Sequence, residues 1–190
     1  MKNRKWLLAF PILFACSSIT FAQGAKSGER PTVSQVEDGL VGRVERTFVP
    51  TADAMPENEF SFAPKDTDGE FKGVRTFGEM VKHVAGSNYG MAAAILQEKI
   101  PAEVANSFDS LNSKADIMKL LRDSFTYLHK AFASINEKNQ TELIKSPDSE
   151  KPLPKLEVAD LVLWHNWQHY GQLVEYLRMN GIIPPASRPR

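Results

Sequence analysis

The sequence predicts an all-α protein built as a bundle of four long helices. Three observations carry this expectation. Four segments repeat apolar residues at three- and four-residue spacing, clusters of Pro, Gly and Asp separate them, and no apolar–polar alternation runs for a useful strand length. The chain has 190 residues. About 165 of them follow an apparent export signal, a length that suits one domain with one sizeable core.

The first element is not part of that core. The basic start MKNRK precedes WLLAFPILFACSSITFA, an uncharged run suited to the apolar centre of a signal peptide and short for a membrane span. Cleavage is expected after Ala22, which gives a signal peptide over 1–22, a flexible lead-in over 23–32, the bundle over 33–182 and a tail over 183–190. LFAC, ending at Cys16, approximates a lipoprotein box, although Phe14 is bulky for it; this is the minority alternative. The expected location is therefore periplasmic or secreted, with no stable membrane span after processing. Cys16 is the single cysteine, so the mature chain has no disulfide and no thiol nucleophile. Loss of Lys2, Arg4 and Lys5 leaves 20 basic against 23 acidic residues. With no basic tract, nucleic acid is not expected as a partner.

Helix one is expected over about 33–54, with Val36, Leu40, Val44 and Phe48 inward and Pro50 ending or bending it. Residues 56–75 (PENEFSFAPKDTDGEFKGVR) read as a long surface crossover. Thr76-Phe77-Gly78-Glu79 is a capping box that starts helix two, whose inner stripe runs through Met80, Val84, Met91 and Ile95 to a break at Pro101. Helix three spans about 114–136 through Ile117, Leu121, Leu128 and Phe132. A Pro-rich loop over 146–154 precedes helix four, about 156–179. Asn180-Gly181 supplies its left-handed cap, and Pro184-Pro185 prevents continuation.

Helix four contains WHNWQHYGQL over 164–173. Its His165 and His169 stand one turn apart on the face that also carries Val158, Leu161, Val162, Gln172, Leu173 and Tyr176. Buried imidazoles need partners for their ring nitrogens. A shared divalent metal would satisfy them; so would hydrogen bonds within the core. His83, beside Met80 and Val84 on helix two, is the natural third ligand. His129, in TYLHKAF, reads as a boundary residue. Asn88 and Tyr89 read as packing or capping groups, and Trp164 and Trp167 as packing against neighbouring helices or a dimer partner. Gln172, before Asn166, is the expected partner for an imidazole's second nitrogen. Glu79 is accounted for by the capping box, and Glu175 points away from the histidine face. Gly171, at mid-helix, suits a close approach by another helix or a ligand.

The order of these parts resembles the DinB-like family. It comprises His83 in an H-x-A-x-S-like segment, then H-x-x-x-H-x-G-Q (His165, His169, Gly171, Gln172), YLR (Tyr176, Leu177, Arg178) and a terminal G-x-x-P-P. The resemblance covers nearly the whole chain from residue 33. It implies an up-down-down-up four-helix bundle that holds a divalent transition metal (zinc, nickel or iron) through His83, His165 and His169. His129 has no counterpart in that triad. Relatives include transferases of low-molecular-weight thiols and thiol-dependent isomerases, and the export signal departs from the cytoplasmic setting of those thiols. For this chain the resemblance implies a metal-dependent transferase or hydrolase acting on a small molecule. The alternative is a non-catalytic metal-stapled bundle or an interaction module. A homodimer is compatible with either.

Overall fold

The computed structural model describes residues 30–65 and 71–189. The readings over 1–22, including Cys16, and the lead-in to residue 29 lie outside them. Four long helices form the body: α1 (Val33–Asp53), α2 (Phe77–Leu96), α4 (Lys114–Ala133) and α5 (Lys155–Met179). A short α3 (Ala102–Ser107) and a two-residue antiparallel pair, β1 (Leu143–Ile144) with β2 (Leu153–Pro154), lie in the connections. Neither was expected from the sequence. Both are too short for a periodic signal, and the β pair depends on a partner across a loop. None of the described helices is long and apolar enough to cross a membrane.

Helix ends follow local chemistry. Thr32 and Thr76 each accept from the backbone three residues on, and Gln35 and Glu79 return the bond, forming two capping boxes. Only the second was expected, although T-x-x-Q at 32–35 was there to be read. Gly181 takes the left-handed conformation at φ 69°. Its N–H and that of Ile182 then reach back to the carbonyls of Arg178 and Leu177 and close α5. Pro50 neither ends nor interrupts α1, which continues to Asp53.

Pairing directions follow from cross-helix contacts. Phe48 meets Phe125 and Asp53 meets Lys114, so α1 and α4 are antiparallel. Asn88 bonds Ser124 and Glu98 bonds Tyr127 and Lys130, so α4 runs parallel to α2. His83 meets His165, and the carbonyl of Arg75 receives the Tyr176 hydroxyl, so α2 and α5 are antiparallel. The result is up-down-down-up, with α1 diagonal to α2 and α4 diagonal to α5.

The inner faces of α2 and α4 are those expected: Met80, Val84, Met91, Ile95, Ile117, Leu121, Leu128 and Phe132 are all buried. On α1 the expectation needs correction. Val44 and Phe48 are buried, but Val36 is 47% and Leu40 36% exposed. A strict four-residue step drifts by about 40° per step on a 3.6-residue helix, so a 36/40/44/48 stripe leaves the core. The buried face runs instead through Glu37, Val41, Val44, Phe48 and Ala52.

His129 joins α4 to α1 at the boundary expected for it. Its Nδ1 meets Asp38, and its Nε2 lies 3.2 Å from Glu45. Burial lowers its pKa, but the hydrogen bonds and charges of the two carboxylates outweigh burial, and the net shift is upward. A raised pKa means that the clamp stabilises the fold fully below the ordinary histidine value of about 6.5. That contribution is lost as pH rises through the folded-state value. Urea midpoints should therefore fall as pH rises above about 6.5, and His129→Gln should flatten that part of the profile. An equal fall in the variant would show that His129 is not the cause.

Candidate metal centre

Antiparallel packing of α2 on α5 brings the middle of each helix to the other. His83 projects from α2, and His165 and His169 project from successive turns of α5. His165 Nε2 lies 3.1 Å from both His83 Nε2 and His169 Nε2. The ring centroids are 4.4 to 5.0 Å apart and the planes meet edge to face, so the rings converge on a point rather than stack. Ligand nitrogens about 2.0–2.1 Å from one ion stand about 2.9 Å apart at right angles and about 3.4 Å apart in a tetrahedron. A separation of 3.1 Å falls between these values. The three histidines could hold a metal ion.

Electrostatics favour the ligand form. Burial first, then the Arg75 charge, lowers the His83 pKa to about 4, and Asp148 opposes this. Burial and the two neighbouring histidines hold His165 at about 4 as well. Burial also lowers His169, against its hydrogen bond with Gln172. All three are thus neutral at pH 7, the state in which imidazole donates a lone pair. His169 Nδ1 donates to Gln172 Oε1 at 2.6 Å, which fixes its tautomer and leaves the Nε2 lone pair facing the centre. His165 Nδ1 is buried with no partner among the described residues. Among themselves the three facing nitrogens can be joined only by one His165 Nε2–H shared between two acceptors, a three-centre bond that leaves His165 Nδ1 without a partner among the described residues. A cation at their meeting point resolves the conflict.

The fold brings together the three side chains singled out in the sequence, and His129 lies apart from them between α4 and α1. Gln172 is the second-nitrogen partner, as expected. Asn166 is not: it donates to Asn88 Oδ1 at 2.7 Å and to the Val162 carbonyl. Asn88 donates in turn to Ser124 Oγ at 3.1 Å. This buried polar ladder across α5, α2 and α4 starts at the residue after His165, and no periodic pattern announces it. Trp164 and Trp167 do not pack against neighbouring helices. They are 62% and 43% exposed, and Trp167 rests edge-on against Tyr170 of its own helix. Glu79 is held by Thr76 in the capping box, and Glu175 pairs with Arg178.

Two open clefts flank the triad. One, of about 480 Å³, is reached past His83 and lined by Arg75, Lys82, Ser87, Phe108 and Asp148. Phe108 closes on Gly86, where a Cβ would come within 2.9 Å of its ring. The second, of about 590 Å³, opens at His169 between Val74, Met80, Gln172, Tyr176 and Met179. Arg75 lines both. It lies at the end of the crossover, where sequence periodicity gives no signal.

The ladder yields a stability prediction. Asn88→Leu removes the acceptor of one Asn166 amide proton and the donor to Ser124 Oγ, leaving each only its bond to a helix carbonyl. Unfolding free energy should fall by about 1–3 kcal/mol in urea titrations; a neutral substitution would show that the ladder contributes nothing.

Residues 41–173 match the DinB superfamily. Among solved structures, a DinB-like protein from Bacillus subtilis superposes with a TM-score of 0.58 at 17% identity, covering 80% of this chain and 99% of its own. A conserved protein from Enterococcus faecalis gives 0.61 at 13% identity, covering 79% and 98%. No curated protein matches. At these identities the two structures speak to the fold alone, whereas the family match spans most of the bundle and both halves of the histidine site. The chain belongs to the DinB superfamily.

Proposed function

We propose that the chain binds a divalent transition metal (zinc, nickel or iron) through the Nε2 atoms of His83, His165 and His169. On this reading it acts outside the cytoplasm as a metal-dependent transferase or hydrolase on a small molecule. The observation that carries the reading is the convergence of the three Nε2 atoms, with 3.1 Å between neighbours, in a pocket that keeps them neutral. When bound, such an ion supplies a Lewis acid that can lower the pKa of a bound water or thiol.

The chain's own residues supply the rest. Gln172 holds the His169 ring in the tautomer that presents Nε2. The Asn166–Asn88–Ser124 ladder sets the depth of α5 against α2, and hence the approach of His165 to His83. Three protein nitrogens leave room for a further ligand, the arrangement of a reactive rather than a closed site. The bridge from α2 to α5 would also serve a purely structural staple. The clefts on either side of the triad favour chemistry over a staple alone. The uncharged run ending at Ala22 supports export.

Titration of chelator-stripped protein with zinc, nickel and iron(II) should show one ion per chain. The double variant His165→Ala/His169→Ala should lose binding yet keep the helical circular dichroism of the parent. Protein that binds none of these ions would falsify the ligand set. Gln172→Ala should weaken metal affinity by about 10- to 100-fold, as removal of a partner that orients a ligating histidine commonly does; unchanged affinity would remove Gln172 from the site. Fractionation of cells expressing the full chain should find the protein outside the cytoplasm with Gln23 at its amino terminus. An intact Met1 on cytoplasmic protein would overturn the export reading.

A further inference from the structure

The cleft that opens at His169 has a composition that the metal reading does not require. Val74 and Met179, 38% and 57% exposed, converge on it with Met80 and Tyr176 to give a largely apolar wall. A concentration of exposed apolar side chains in one concave site marks a place where something binds. The buried His169 and the exposed Gln172 and Arg75 also line it. The Arg75 guanidinium pairs with no carboxylate among the described residues. Its backbone is fixed, because its carbonyl accepts the Tyr176 hydroxyl at 3.1 Å. Of the nearby acids, Glu175 is committed to Arg178 at 2.7 Å and Glu79 to the Thr76 cap at 2.8 Å. Asp148 lines the other cleft.

Gly171 adds an independent observation. A glycine inside a helix costs about 1 kcal/mol relative to alanine. The expected helix does not approach it: a Cβ placed there meets no atom within 4 Å. Gly171 instead lines this cleft next to His169. Its missing side chain therefore leaves space in the cleft, not in the packing between helices.

We infer that this cleft binds a small amphipathic carboxylate, its apolar body along Val74, Met80 and Met179 and its anionic head at Arg75 beside the triad. This rests on the metal reading and extends it to a substrate class. The charge argument is direct. Three neutral imidazoles do not offset a divalent ion, and Arg75 adds a further positive charge that no described carboxylate pairs with. An anionic head group offsets both, while the apolar wall selects against small inorganic anions.

The test uses 4-phenylbutyrate, its neutral counterpart 4-phenylbutyramide, and acetate. Affinities are measured by calorimetry on zinc-loaded and on chelator-stripped protein, and methyl NMR shifts locate the probe. The carboxylate should bind at least about tenfold more tightly than the amide and than acetate, and should move the methyl signals of Val74, Met80 and Met179. Arg75→Ala should abolish the preference for charge, and Arg75→Lys should keep part of it. Gly171→Leu should weaken phenylbutyrate binding at least about tenfold while leaving thermal stability equal or higher, since leucine is the better helix former. Equal affinity for acid and amide, no binding of either, or unchanged affinity in Arg75→Ala each overturns the inference. Failure of the metal reading is separate: zinc would then not bind, while the charge preference would survive in stripped protein.

Discussion

Three imidazoles buried against one another cannot all be charged, and the geometry of the α2–α5 seam follows from that constraint. Desolvation penalises each imidazolium, and each neighbouring imidazolium penalises the next, so the neutral state prevails. Neutrality creates a second problem, because the converging Nε2 atoms can bond one another only through one proton shared from His165. Gln172 settles one tautomer from outside by accepting from His169 Nδ1. The remaining nitrogens still face inward. A core made only for packing would place apolar groups at these positions, as it does at Val84 and Val162, both fully buried nearby.

The connection order makes the seam available. Because α1 is diagonal to α2, the chain must cross the bundle between them, and the crossover docks as it arrives. Phe77 and Gly78 donate their N–H groups to the carbonyls of Phe62 and Phe60, both at 2.8 Å. A Cβ at Gly78 would come within 2.8 Å of the Phe60 ring, so this approach depends on glycine. The Thr76–Glu79 capping box fixes the first turn at the same place. The position of α2 is thereby set one turn before His83, and Arg75, immediately before the cap, is delivered to the mouth of both clefts. The crossover thus contributes to the site as well as joining two helices.

Much of this was legible in the sequence, and what was not has physical reasons. The long helices show a 3.6-residue pattern, and their ends carry capping chemistry that acts within four residues. Such features can be read from local sequence. The histidine pair on α5 is local in the same sense, and His83 joined it through a pattern of motifs rather than through any contact the sequence displays. The ladder of Asn166, Asn88 and Ser124 joins three helices, and each residue alone looks like an ordinary helix polar. Arg75 belongs to an irregular segment with no period to place it. Trp164 and Trp167 show the limit of composition: large aromatic rings suggested packing against neighbouring helices or a dimer partner, and α5 turns both outward, away from its histidine face.

The four histidines show how one residue type takes two roles in one small fold. His129 lies between Asp38 and Glu45, which favour its charged form and make it a clamp between α1 and α4. At the triad no carboxylate is a neighbour of that kind. The acids of α5 are exposed, and the one that lines the His169 cleft, Glu175, pairs with Arg178. A carboxylate beside His165 would have offered a protonated partner and a stable ion pair, as Asp38 does for His129. Its absence removes that solution and leaves the inner site with donors and no carboxylate bonded to them among the described residues. Such a site can hold a cation, but it cannot neutralise one. On the proposed reading, the remaining charge is met from the cleft, by the anion that Arg75 admits.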